Sequence, residues 1–416
     1  MTTSSSPLLR TWLPTALGSS MLVVEIPLVS AFVARAPDGA AALAAFGICI
    51  AVIVVVNSPA LALAPLVVGM PRSVSVRRYT VLLGLGAALV CAALAVTPLP
   101  AVLFGTSEQV ADGVRNGLLA LAPASPAVAL RRYLHGLLIS ADRTGGITVA
   151  TVSRLVASAL AAVLATELLP TWGAGAGCFA LTVGAFAETA VLSRLWMGGP
   201  LSAEPVSTRR LLRAHLPLSG ARLLNMAPQV ITILAVGHAV QAAASLTVWP
   251  TVYGLLALFT TPTADLESVV GARHTDRPAA TRRLAWQVGV GFTAAFAVVV
   301  CTPLAAWYVE GFVGVPSAPA ELGLLWIFVL LPAPVLWVVR SYYRGMVVAH
   351  HDAPRLLVPI GAHVAVLVAL SVALPFTGLP GVACAGLALV GGLAAETVWS
   401  GRVSRLDQPA ARCTCR

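Results

Sequence analysis

The chain is a succession of long apolar stretches, with its charged residues held almost entirely to the short segments between them. A bilayer crossing needs roughly 20 apolar residues. Twelve stretches meet that need, over 12–34, 40–69, 79–104, 114–139, 147–168, 174–196, 212–237, 244–270, 284–308, 321–347, 356–374 and 381–400. Inside lipid each backbone N–H and C=O has to be paired within the segment, so these stretches are helices. Only 10% of the residues are charged, against about 25% in soluble proteins. A soluble enzyme, a secreted disulfide scaffold and a nucleic-acid binder are thereby excluded. The fold class is an all-α polytopic membrane protein of twelve transmembrane helices.

All of the basic residues are arginine, and they outnumber the acids to give a net charge of +10. They gather in alternate loops rather than on one soluble face: Arg72, Arg77 and Arg78; Arg143; Arg209, Arg210 and Arg213; Arg273, Arg277, Arg282 and Arg283; and Arg355. The opposite loops hold Arg35 and Arg115 among Asp38, Glu108, Glu167, Glu310 and Glu321. The positive-inside rule then places both termini in the cytoplasm, with the chain in the cytoplasmic (inner) membrane. Arg10 leads straight into an apolar run with no small-residue cleavage site behind it, which is not a signal-peptide pattern. Five cysteines fall in apolar stretches and read as small hydrophobes. Cys413 and Cys415 form an isolated pair, a poor metal signal.

The chain is also a duplication. Pro123-Ala124 followed by Arg131-x-Tyr133-x-x-Gly136 in span 4 returns as Pro332-Ala333 and Arg340-x-Tyr342-x-x-Gly345 in span 10. Gly184 and Ala187-Glu188-Thr189 in span 6 return as Gly392 and Ala395-Glu396-Thr397 in span 12. Leu13-Pro14 answers Leu216-Pro217, and Asn57-Ser58-Pro59 answers Thr260-Thr261-Pro262. Six helices per copy is an even number, so both copies enter from the same side and form parallel repeats. The expected organisation is an N-terminal bundle over 1–197, a linker over 198–210, a C-terminal bundle over 211–401 and a tail over 402–416. Two such bundles around a cleft suit alternating access.

Ionisable residues within spans are costly and mark function by default. Glu25, Arg131, Arg154, Glu188, Arg222, Asp265, Arg340, His363 and Glu396 form that set, with Arg154 and His363 at equivalent places in the repeat. Arg131 with Glu188, and Arg340 with Glu396, read as matched structural ion pairs, because buried charges are usually paired. Arg132, Arg344 and Glu267 lie close to span ends and read as interfacial, with the arginine stems snorkelling. Glu25 sits two residues before Pro27, where a kink frees a backbone carbonyl; a carboxylate there suits a proton or Na⁺. Arg222, Arg154 and Arg340 suit an attractive floor for an anion, since guanidinium forks match carboxylate and phosphate. Pro59 and Pro262 read as hinges or packing kinks.

The six-plus-six repeat and the R-x-Y-x-x-G endings resemble the multidrug/oligosaccharidyl-lipid/polysaccharide flippase superfamily, which includes multidrug and toxic compound extrusion proteins. Within it the chain is most similar to the progressive-ankylosis transporter family. Residues 327–335 with Arg340 and Gly345, then Leu374-Pro375, Gly378, Gly381, Gly386 and Glu396, and residues 43–47 after Asp38 carry that resemblance. Glu25 and Asp265 fall on acidic positions of the family, whereas Met226 and Gln229 stand where it has arginines. The resemblance implies export of small organic or phosphate anions by a secondary transporter. The wider superfamily implies drug antiport coupled to Na⁺ or H⁺, or flipping of lipid-linked cargo.

No cofactor is implied beyond such a coupling ion, and the expected partners are a small-molecule substrate and the bilayer, with the protein a monomer. The major facilitator fold lacks its acid-containing signature at 69–78. An intramembrane enzyme using Mg²⁺ needs clustered aspartates, and the chain has no such run, nor an H-E-x-x-H, His350-His351 being the only close histidine pair.

Overall fold

The computed structural model describes residues 6–68, 70, 73–141, 143, 145–196, 206–264, 266–349 and 353–406. Asp265, His350-His351, most of the linker and the Cys413/Cys415 tail lie outside them. The fold is all helical, in two halves. The first contains α1 (Ser6–Val33), α2 (Gly39–Val56), α3 (Val74–Val96), α4 (Ala124–Ser140), α5 (Gly145–Leu168) and α6 (Ala174–Leu195). The second contains α7 (Thr208–Gly237), α8 (Ala242–Ala264), α9 (Pro278–Val300), α10 (Ala333–Ala349), α11 (Leu357–Ala373) and α12 (Gly381–Leu406).

Several spans expected to be continuous are broken, and proline is the reason. α2 stops at Asn57 and resumes as Ser58–Leu61 and Leu63–Val68 around Pro59 and Pro65. The fourth span is Glu108–Leu121 followed by α4, parted at Pro123, and the tenth is Ser317–Trp326, a tight 3-10 turn at Ile327–Leu330, then α10, parted at Pro332. The tenth bends by 42° there. A proline ring removes one N–H and crowds the carbonyl four residues back; the equivalent Pro123 and Pro332 break the fourth and tenth spans, whereas α8 runs on through Pro262, the equivalent of Pro59. Among the described residues eight helices are long and apolar enough to cross a bilayer alone, and the bent tenth span is a ninth. α1, the Pro123-broken pair and α7 complete the twelve; α7 carries Arg209, Arg210, Arg213 and Arg222.

Two expected boundaries move. The end of the linker, Thr208–Arg210, is already the first turn of α7, capped by the Ser207 hydroxyl accepting from the Arg210 N–H at 3.4 Å. At the other end α12 absorbs residues 402–406, which had been assigned to the tail.

The repeat is visible in packing as well as in order. A Cβ at Gly136 would fall 2.8 Å from the Ala64 carbonyl oxygen, and one at Gly345 would fall 2.7 Å from that of Glu267. Both glycines let α4 and α10 press against the second helix of their own half, the close approach that small residues permit in membranes. α3, α5 and α9 turn long apolar side chains outward, among them Leu82, Leu89, Leu160, Leu164 and Val298, which suits contact with lipid tails.

α2 and α8 meet at the seam between halves, where Gly47 faces the Pro250 ring. Leu43, Phe46, Leu246, Trp249 and Val252 are buried together in the largest apolar cluster. On the arginine-poor face the halves are tied by Arg35 Nη2 to the Phe312 carbonyl at 3.1 Å, Thr247 Oγ1 to the Ala40 carbonyl at 3.2 Å and His238 Nε2 to the Leu103 carbonyl at 2.9 Å.

Toward the arginine-rich face the first helix of each half reaches across. Leu8, Trp12 and Ala16 of α1 bury themselves against Leu266, Val270, Leu284 and Val288 of the second half. In turn Leu211 of α7 is buried with Val67, Tyr133 and Leu134 of the first. His215 of α7 is held there between the Tyr79 hydroxyl at 2.5 Å and the Pro59 carbonyl at 2.9 Å. That carbonyl belongs to the α2 break, so Pro59 shapes a contact between halves rather than a kink alone.

Candidate functional site

Each half contains one buried glutamate ringed by three nitrogen-bearing side chains. In the first half Glu188 of α6 takes Arg131 Nη1 at 2.7 Å and Arg154 Nη1 at 3.2 Å, with His135 Nε2 at 3.5 Å. In the second half Glu396 of α12 takes Arg340 Nη1 at 3.2 Å, Arg344 Nε at 2.6 Å and His363 Nδ1 at 2.6 Å. Arg344 Nη2 also meets Glu396. Glu188 and Glu396 are essentially inaccessible, at 1% and 0% exposure.

Helix periodicity explains the convergence. Arg131 and His135 are four residues apart on α4, as Arg340 and Arg344 are on α10, so each pair shares a helix face. Arg154 on α5 and His363 on α11 supply the third arm in their respective halves. The two rings are the same constellation with histidine and arginine exchanged: His135 stands where Arg344 does, and Arg154 where His363 does. Isolated charges would not persist at this depth; mutual pairing is what keeps them there.

The halves differ in one carboxylate. Glu25 of α1 joins the first ring, accepting from Arg154 Nε at 2.8 and 2.9 Å, from Arg154 Nη2 at 2.7 Å and from the Ser158 hydroxyl at 2.6 Å. Among the described residues α7 brings no such carboxylate to the second ring, because the repeat puts Pro228 at that position. Instead Asn225 accepts from Arg344 Nη1 at 3.1 Å. Glu267 lies 4.0 Å from Arg344, about a third exposed at the rim.

The sequence pairing of Arg131 with Glu188 and of Arg340 with Glu396 is therefore present, and Arg154 and His363 do occupy equivalent places. The single anion floor expected from Arg222, Arg154 and Arg340 is absent as such, since Arg154 and Arg340 belong to separate rings, one per half. Arg344, read from sequence as interfacial, is buried and gives Glu396 two nitrogens, one turn beyond Arg340 on the same face of α10. Arg222 makes no ion pair among the described residues, though its field reaches Arg132 of the first half and Glu267. Pro27 packs toward Gly254 of α8 across the seam, and Pro262 is buried within α8. Asp265 lies outside the described residues.

His135, Ser158 and Asn225 were missed by sequence reading. The repeat offset that aligns Arg131 with Arg340 also aligns His135 with Arg344, and that was the available signal. Among the described residues no cluster of histidine, cysteine and acidic side chains is placed to hold a metal ion.

No protein-family model and no curated relative matches the sequence. Solved structures do resemble it. The eukaryotic MATE transporter AtDTX14 superposes with a TM-score of 0.70 at 16% identity, covering 97% of this chain and 96% of its own. The lipid II flippase MurJ, in an inward closed conformation, gives 0.69 at 11% identity over 94% and 87%. A superfamily transporter from Pyrococcus furiosus, described by a reversed polarity of its binding pocket, gives 0.65 at 13% identity over 97% and 95%. The resemblance to the progressive-ankylosis family rests on the sequence motifs alone. What the superpositions establish is the architecture: this multi-pass membrane protein has the twelve-helix fold in two repeated halves of the MATE transporters, and superposes on MurJ over most of its length.

Proposed function

We propose that the protein is a secondary active transporter that exports small organic or phosphate anions, or amphipathic metabolites, from the cytoplasm by alternating access, with no chemical step. The observation that carries this reading is the pair of buried arginine–glutamate rings, one in each half of a two-bundle membrane fold. A scaffold would gain little from two such costly constellations. The arginine-rich face is the cytoplasmic one on the positive-inside rule, with both termini there, in the inner membrane.

In this reading Glu25 couples the ion gradient. A proton or Na⁺ taken by its carboxylate competes with Arg154, and the freed guanidinium turns wholly to Glu188. α1 is then loosened from α5, and because α1 also packs on the other half, the change at Glu25 reaches the seam. The similar Pyrococcus furiosus transporter is described by a reversed polarity of its binding pocket that suggests a different function.

The test is flux in proteoliposomes under imposed Na⁺, H⁺ or voltage gradients, with labelled citrate, pyrophosphate and ATP beside a cationic dye. Anion flux lost in Arg340→Ala supports the reading. Dye flux that needs a gradient and Glu25, with no anion flux, makes the protein a multidrug antiporter and the arginines structural. Movement of a lipid-linked substrate alone makes it a flippase.

A further inference from the structure

We infer that an anionic phospholipid of the arginine-rich leaflet binds where α7 begins, its phosphate in an arginine-lined cavity and its acyl chains along the helix beyond. The inference concerns the bilayer and stands apart from the cargo.

Ser207, Arg209, Arg210, Arg213 and Ala214 at the start of α7 line a cavity of about 440 Å³ together with Met70, which follows the broken second span. Arg213 lies four residues from Arg209 and three from Arg210, so it shares a helix face with each. All three arginines are exposed, and among the described residues none of them has an ion-pair partner. The segments 70–78, 140–146 and 194–213, all on the arginine-rich face, contain eight arginines and two acids, Asp142 and Glu204. Two carboxylates cannot balance even the three cavity arginines. Guanidinium forks match phosphate oxygens, and basic pockets at this level of a membrane protein bind phospholipid headgroups. The Ser207 hydroxyl accepts from the Arg210 N–H at 3.4 Å and keeps its own O–H to donate.

The apolar residues beyond select a lipid over a free phosphate. Arg209, Arg213, Leu216, Gly220 and Leu223 follow one another in steps of four and three, which makes them one stripe along α7. Leu216 and Leu223 are 64% and 43% exposed, and a Cβ at Gly220 would meet nothing within 4 Å. A charged end followed by an open apolar lane matches a headgroup followed by acyl chains; a soluble phosphate would leave the lane uncovered. Met70 belongs to the first half and Ala214 to the second, and both pack toward Tyr79. A headgroup seated between them therefore tightens the contact between halves beside His215.

Native mass spectrometry and thermal melting of the full-length protein test this, with dioleoyl phosphatidylglycerol, dioleoyl phosphatidylcholine and glycerol phosphate as probes. Phosphatidylglycerol should bind and raise the melting temperature. Phosphatidylcholine should do neither, and glycerol phosphate should bind at least about tenfold more weakly. An arginine near an anionic lipid is worth about fivefold in affinity, so Arg209→Gln/Arg210→Gln/Arg213→Gln should weaken phosphatidylglycerol at least about tenfold. Arg277→Gln/Arg282→Gln/Arg283→Gln removes the same charge elsewhere on this face and should change binding by less than about twofold. Arg213→Gln alone, at an exposed position, should cost severalfold, which keeps the test valid if the first triple variant folds poorly. Equal losses in the two triple variants would make the attraction a property of the whole face and overturn the inference. Phosphatidylcholine or glycerol phosphate binding as tightly as phosphatidylglycerol overturns it too.

Discussion

Arg154 on α5 grips Glu25 on α1 through both carboxylate oxygens, at 2.8 and 2.9 Å from its Nε. The same guanidinium reaches Glu188 of α6 at 3.2 Å, so one arginine fastens three helices of the first half.

Glu25→Gln removes one charge from this set and leaves Arg154 short of a partner. Breaking a buried pair from one side costs about 3–5 kcal/mol, so the variant should melt at a clearly lower temperature. Removing the arginine as well, in Glu25→Gln/Arg154→Gln, should recover part of the loss, giving a coupling of about 0.5–3 kcal/mol in a double-mutant cycle. Additive losses would mean that the two side chains do not depend on one another.

Arg344 offers Nε and Nη2 to Glu396 and Nη1 to Asn225. An ammonium cannot make that three-point contact. Arg344→Lys should therefore depress flux and melting temperature together, whereas Arg115→Lys, on an exposed helix face, should change neither. Equal behaviour of the two variants would demote Arg344 to the interfacial role that its sequence position suggests.

The His215–Tyr79 contact joins α7 of one half to α3 of the other at the arginine-rich face. With cysteines at both positions in a background freed of native cysteines, a short bismaleimide should link them and stop transport. Adding a thiol-cleavable linker and then reducing it should restore flux. Undiminished flux in the linked protein would show that the two helices stay together throughout the cycle.

Gly136 and Gly345 make the same close approach in their two halves. Gly136→Val and Gly345→Val should each destabilise the protein by about 1–3 kcal/mol through overpacking. A thermal shift assay checks this, and a loss confined to one variant would break the equivalence of the copies.

Much of this architecture was legible from periodicity and repetition. Twelve apolar stretches and two copies of one proline–arginine–glycine pattern specify the bundle halves, because lipid leaves the backbone no alternative to helix. The repeat also paired Arg131 with Glu188, Arg340 with Glu396, and Arg154 with His363 by position. Tertiary contacts were harder to read. That Glu25 meets Arg154 depends on where α1 crosses α5, and nothing in either stretch encodes that angle. Arg344 was misjudged because nearness to a span end was weighed above its place one turn from Arg340 on the same helix face, and α10 runs on to Ala349.

The exchange of first helices across the seam changes what kind of object the protein is. With α1 gripping the second half through Trp12 and α7 gripping the first through Leu211, the halves are interlocked like clasped hands rather than set side by side. Their connection then owes little to the peptide that joins them. A chain severed between α6 and α7 would still travel as one particle, and the swing of either bundle would have to flex a helix belonging to the other.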